Sequence, residues 1–170
     1  VILPSRISKK IKLKSLKISE LVSKSLNHVG LIAVELFCTH NDDVLVNEIA
    51  PRVHNSGHLT IESCITSQFE QHIRAIYDMS LGSVNQILPG VMVNLVGENN
   101  HNGEAFYRNI DKAFDLEGVF PHLYGKKITK PNRKMGHITI IDEKLEKAIL
   151  KARVLKNKIK IISTRWKKLE

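Results

Sequence analysis

Aromatic residues make up only 5% of this 170-residue chain, and no RNP, KH or zinc-finger pattern sets them among its basic residues. A nucleic-acid surface built on base stacking therefore lacks its usual parts, although the net charge is +9 and the isoelectric point about 9.6. Cysteine is equally scarce. Cys38 and Cys64 have no CxxC or other metal-type spacing. Both stand in apolar segments and read as buried, reduced thiols, which points to a cytoplasmic protein. No apolar run approaches the ~18 residues of a membrane span, and no signal-peptide pattern opens the chain. Also missing is any GxGxxG or Walker-type loop of the kind that cradles phosphates. The first residue is Val1 rather than Met, so the sequence reads as the carboxyl-terminal part of a longer protein.

What is present centres on one hairpin. Apolar runs at residues 31–37 and 44–49 flank the polar tetrad His40, Asn41, Asp42 and Asp43, the pattern of two strands and a turn. With Asn41 and Asp42 as a two-residue turn, Glu35 faces Glu48 on one side of the pair. Directly opposed side chains have Cβ atoms about 4.5–5.5 Å apart, and like charges so placed destabilise a sheet. A protonated carboxyl or a cation between the two relieves that repulsion. Pro51 ends the second strand. A dense polar run follows with Arg52, His54, Asn55, Ser56, Gly57 and His58. Two carboxylates followed by such a loop suggest phosphate chemistry.

Around the hairpin, residues 8–27 read as a helix with Ile11, Ile18, Leu21, Val22 and Leu26 on its inner stripe and the lysines wet. Gly30 is expected to close it. Ser67 and Glu70 form a capping box for a helix to Asp78 with Phe69, Ile73 and Ile76 inward. Residues 81–89 are a connection. Residues 90–97 read as a strand, 104–116 as a helix, 119–124 as a strand, 126–137 as a basic loop, and 137–141 as a strand. Asp142 is expected to cap a last helix with Leu145, Ile149, Ala152 and Leu155 inward, and residues 158–163 read as a final strand.

The run at residues 47–62 (NEIAPRVHNSGHLTIE) resembles the ATP-grasp signature of the 5-(carboxyamino)imidazole ribonucleotide synthase family. Residues 66–75 (TSQFEQHIRA), 91–97 (VMVNLVG) and 133–139 (RKMGHIT) resemble the same family, so the likeness covers residues 1 to 141. It implies an ATP- and bicarbonate-dependent carboxylation of 5-aminoimidazole ribonucleotide through carboxyphosphate, a step of de novo purine synthesis. Implied cofactors and partners are Mg2+ (or Mn2+), ATP as co-substrate, bicarbonate, 5-aminoimidazole ribonucleotide and, by analogy, a second copy in a homodimer, with no nucleic acid and no membrane. By the resemblance Glu35 and Glu48 hold metal, and Asn47 stands next to metal or phosphate. Arg52, His54 and Asn55 hold bicarbonate and carboxyphosphate. Lys126 and Arg133 grip the 5′-phosphate of the ribonucleotide. Physically, Arg52 offers a fork of donors to a planar anion, and His54 is suited to relaying a proton.

The expected fold class is α+β: residues 1–88 as the carboxyl half of an ATP-grasp domain, an antiparallel sheet with helices, then residues 89–170 as a small β-rich domain with a terminal helix. The amino-terminal ATP-binding part of such an enzyme has no counterpart here, so the chain is expected to be inactive alone. Two rivals remain. One is another ATP-grasp ligase, such as a formate-dependent glycinamide ribonucleotide transformylase or a biotin carboxylase. The other is a non-catalytic basic module that binds nucleotides or RNA.

Overall fold

The computed structural model describes residues 1–164. Residues 165–170, the expected end of the second domain, lie outside the described residues. The chain divides into two compact units. One is Pro4–Gln86; the other joins Val1–Leu3 to the chain from Ile87 onward. The amino-terminal three residues thus pack with the second unit, where the reading at residue 88 had assigned them to the first.

The first unit opens with helix α1 (Lys9–Ser25), whose start is fixed by the Ser8 hydroxyl accepting from the Ile11 N–H at 3.2 Å. Asn27, at φ +50°, makes the left-handed step that ends the helix, three residues before Gly30. Strands β2 (Ala33–Cys38) and β3 (Val44–Ala50) form the hairpin. A 3-10 turn (Asn55–Gly57), a single helical turn α2 (Thr60–Ser63) and helix α3 (Gln68–Ile76) follow. Helix α3 starts as expected, with the Ser67 hydroxyl accepting from Glu70 N–H at 3.2 Å.

Apolar burial in this unit is thin. Ile11, Ala50 and Leu59 are its buried hydrophobic residues, while Leu21, Leu26, Phe69, Ile73 and Ile76 are exposed. The expected inner stripe on α3 is therefore corrected, and that on α1 holds in part: Ile11 is buried and Ile18 and Val22 are half-buried, whereas Leu21 and Leu26 fall outside it. The period of 3.6 was real, but periodicity names the face that favours burial and says nothing of what covers it. Cys38 is likewise exposed rather than buried, and Cys64 is half-buried; both are free thiols. Cys38 ends β2 just before the turn, where a strand leaves the cover of its neighbours.

The second unit holds the main core. Strands β1 (Ile2–Leu3), β4 (Gly90–Val96), β6 (Val119–Leu123) and β8 (Lys134–Ile141) make an antiparallel sheet in the order β1-β4-β8-β6. Strands β5 (Gly103–Arg108), β7 (Ile128–Thr129) and β9 (Lys160–Ser163) form a second sheet in the order β7-β5-β9. Helix α5 (Leu145–Lys158) buries Ala148, Ala152 and Leu155 in one cluster with Val91, Leu95, Met135, Ile138 and Ile140.

Three expectations fail in this unit. Residues 103–108 are a strand, and only Asp111–Phe114 is helical (α4). Ala105 and Tyr107 pack toward the core while Glu104, Phe106 and Arg108 are exposed, a period of two that outweighs the helix propensity of Glu and Ala. Asn109, at φ +60°, ends the strand. The basic loop is also shorter than expected, because β7 interrupts it and β8 begins at Lys134. Asp142 does not cap α5. Its carboxylate accepts from Lys144 N–H at 3.1 Å in a turn before the helix and pairs with Lys151 at 3.0 Å.

Candidate active site

The hairpin register opposes Glu35 to Glu48, by a route different from the one the sequence suggested. The turn holds three residues, not two: Thr39 and Asp43 close it through Thr39 N–H to Asp43 O at 2.9 Å, with Asp42 at φ +62°. The Thr39 hydroxyl also accepts from the N–H groups of Asn41 and Asp43. That extra residue shifts every pair nearest the turn by one, so Leu36 faces Val46 and Cys38 faces Val44. A bulge then restores the register. Asn47 is the unmatched residue between the Leu36–Val46 and Glu35–Glu48 pairs. The same bulge brings Asn47 beside the pair, where its amide donates to Glu35 Oε2 at 3.4 Å.

Pro51 terminates β3 at Ala50, and the chain turns back toward the carboxylates. His54 Nε2 lies 3.5 Å from Glu35 Oε1. Its Nδ1 is 2.9 Å from the Ser56 hydroxyl. Glu35, Asn47, Glu48 and His54 thus gather into one cluster. Arg52 is exposed and steadied by a bond from its guanidinium to Val53 O at 3.0 Å; Asn55 begins the 3-10 turn.

Gln68 is the residue that sequence reasoning missed. In the sequence it is the second position of a capping box, yet it is 5% exposed. Its Oε1 accepts from His54 N–H at 3.0 Å, and its Nε2 donates to His54 O at 2.8 Å and to His58 Nδ1 at 2.8 Å. Gln68 N–H donates to the Thr60 hydroxyl at 2.9 Å, which donates onward to Gly57 O at 2.6 Å. A Cβ at Gly57 would come 2.4 Å from Gln68 Oε1, so only glycine admits the buried amide here. The one signal in the sequence was that glycine in a polar loop.

Lys126 and Arg133 belong to the second unit, in the segment between β6 and β8. Both are half-buried, whereas Lys127, Lys130 and Lys134 are exposed. Lys126 Nζ donates to Lys134 O at 2.7 Å and lies 5.6 Å from the Tyr124 ring centroid. Arg133 donates to Ile128 O at 2.9 Å. Gly97 anchors this segment: its N–H donates to Arg133 O and its carbonyl accepts from Asn132 N–H, each at 3.0 Å.

The donor chemistry at the hairpin fits a hard divalent cation shared with a nucleotide. Two carboxylates face each other with an amide beside them. Among the described residues no group of three or more His, Cys, Asp or Glu could hold a metal ion. Mg2+ is commonly held by one or two carboxylates and completed by water and substrate phosphates, and Glu35 with Glu48 is a set of that size.

Comparisons with known proteins agree with this arrangement. Residues 1–69 match the family model described as ATP-grasp domain, and residues 90–151 match that of the phosphoribosylaminoimidazole carboxylase C-terminal domain. The chain is 44% identical over 142 residues to the N5-carboxyaminoimidazole ribonucleotide synthase of Bacillus subtilis, covering 84% of this chain and 36% of that protein. The crystal structure of the synthetase from Thermotoga maritima superposes with a TM-score of 0.90 at 48% identity, over 95% of this chain and 45% of that one. The Aspergillus clavatus synthase, crystallised with ADP and the 5-aminoimidazole ribonucleotide, gives 0.82 at 32% identity, over 92% of this chain and 42% of that one. The chain therefore spans less than half the length of these relatives. With two successive domain families matched in order, and a fold shared with solved members, the chain belongs to the N5-carboxyaminoimidazole ribonucleotide synthase family of ATP-grasp ligases, as its carboxyl-terminal portion.

Proposed function

We propose that this chain contributes half of the active site of an ATP- and bicarbonate-dependent ligase that carboxylates 5-aminoimidazole ribonucleotide in purine biosynthesis. The observation that carries the reading is the hairpin cluster, in which Glu35, Asn47 and Glu48 stand together with His54 at its edge. Glu35 and Glu48 would hold Mg2+ (or Mn2+), which neutralises phosphate charge when bound with ATP. Phosphoryl transfer of this kind depends on positioning and electrostatics, and a paired-strand register is a rigid way to position two carboxylates.

Arg52 and Asn55 present donors to bicarbonate and to the carboxyphosphate made from it. His54 takes the proton that the exocyclic amine loses as its nitrogen–carbon bond forms. Lys126 and Arg133 hold the 5′-phosphate. Their half-burial, against the exposure of three neighbouring lysines, favours a recognition role over a solvated one. A homodimer is proposed on family analogy alone, and sedimentation of the intact protein tests it. A reducing compartment such as the cytosol suits the two unbridged thiols.

The experiment is Glu48→Gln in the intact protein, with ribonucleotide-stimulated ATP hydrolysis as the readout. The substitution keeps shape and removes one anionic ligand. Activity should fall by more than the roughly 10–100-fold that loss of an outer partner costs a metal site. Wild-type turnover in the Gln variant would refute the assignment.

A further inference from the structure

We infer that Gln68 is a positioning residue of this site: its buried amide sets where the His54 imidazole stands against Glu35 and fixes the tautomer of His58. The inference rests on the function proposed above and deepens it.

The main chain decides which way the amide points. His54 N–H can only donate and His54 C=O can only accept. Oε1 must therefore face the N–H at 3.0 Å, and Nε2 must face the carbonyl at 2.8 Å. With Nε2 committed as a donor, His58 Nδ1, 2.8 Å away, is the acceptor, and His58 carries its proton on Nε2. The His58 ring lies against Phe69 of α3, with centroids 5.3 Å apart.

One side chain at the start of α3 thus grips the residue before the 3-10 turn at both of its backbone groups, and the residue after it at its ring. The bond from Gln68 N–H to Thr60 holds the same loop from behind. His54 itself reaches the hairpin through Nε2, at 3.5 Å from Glu35. A distance at that limit depends on where the backbone of His54 is pinned. The pin is Gln68, which touches neither carboxylate of the hairpin pair in any of these bonds.

The test follows the ring nitrogens of His54 and His58 by 15N NMR in the 170-residue chain. In the wild type, His58 should show the Nε2–H tautomer, and Glu35→Gln should move the His54 Nε2 resonance. In Gln68→Met, which removes donor and acceptor at similar volume, the His58 tautomer should be lost. The His54 resonance should also stop responding to Glu35→Gln, a vanishing coupling in a double-mutant cycle. Gly57→Ala, which displaces the amide while leaving Gln68 in place, should reproduce both effects and covers the case in which Gln68→Met fails to fold. In the intact protein, kcat should fall on the order of 10²-fold, as for a misplacement near 1 Å, with KM for ATP unchanged. A His54–Glu35 coupling that persists in both variants, or a wild-type His58 protonated on Nδ1, would overturn the inference. A wild-type protein that binds but never carboxylates the ribonucleotide would sink the proposed function and leave the NMR result standing.

Discussion

Ile138 and Ile73 separate the two units energetically. Both belong to apolar patterns in the sequence, yet Ile138 on β8 is 0% exposed and Ile73 on α3 is 51% exposed. Replacing Ile by Ala removes three carbons. At about 0.8 kcal/mol each, full burial makes this a loss of ~2.4 kcal/mol. The cavity left between β4 and β6, the strands flanking β8, brings the cost to about 3–4 kcal/mol. At Ile73 about half of the transfer term is at stake, ~1.2 kcal/mol. No enclosed cavity forms there, and Ala returns roughly 0.4 kcal/mol as the better helix former, leaving a net cost below ~1 kcal/mol. The gap of ~2–3 kcal/mol corresponds to about 10²-fold in an opening equilibrium. Peptide-resolved hydrogen exchange is the suitable assay, since two units need not unfold as one transition. Ile138→Ala should cost the β4 and β8 amides about two to three orders of magnitude of protection, and Ile73→Ala should change the α3 amides by less than about tenfold. Equal losses at the two positions would refute the burial argument.

Two further outcomes follow from the second unit. A Cβ at Gly97 would meet Lys130 O at 2.2 Å and Thr129 Oγ1 at 2.4 Å. Gly97→Ala must therefore push away the segment that carries Lys126 and Arg133. We expect a raised KM for the ribonucleotide with KM for ATP little changed, and steady-state kinetics on the intact protein would expose the opposite pattern. Asp142 has its carboxyl held below the ordinary range, first by the Lys144 N–H and then by the Lys151 ammonium. A depressed folded-state value stabilises above the unfolded value of ~3.9, and that contribution is lost as pH falls through the folded value. Thermal melts of wild type and Asp142→Asn should therefore differ at neutral pH and converge on acidification; parallel curves would exclude this linkage.

How much of this was legible in the sequence depended on range. Local signals held: the Ser67 hydroxyl caps its helix, Pro51 stops β3, and residues 90–97 give a strand. The segment at 103–108 was misread because Glu104 and Ala105 favour a helix one by one. The deciding term was the burial of Ala105 and Tyr107 on alternate positions, which is set by packing against distant chain. Gln68 was invisible for the same reason. Its role comes from His54 and His58, 14 and 10 residues away, brought to it by a turn at glycine.

The hairpin is the instructive case, because a correct pairing came from an incorrect turn. A two-residue loop opposes Glu35 to Glu48. A three-residue loop alone would have opposed Glu35 to Asn47 and turned Glu48 to the other face, since one step of register reverses every side chain. The observed loop has three residues, and the bulge at Asn47 takes the step back. Each irregularity by itself would separate the carboxylates; together they restore the pair. They also do what a regular hairpin cannot, for in a regular strand Asn47 and Glu48 would point to opposite faces. With Asn47 as the extra residue, its amide reaches Glu35 while Glu48 keeps its place opposite. Two consecutive residues, Asn47 and Glu48, can serve the same face of a two-stranded ribbon only through such a bulge, so the departure from regular pairing is the feature that builds the site.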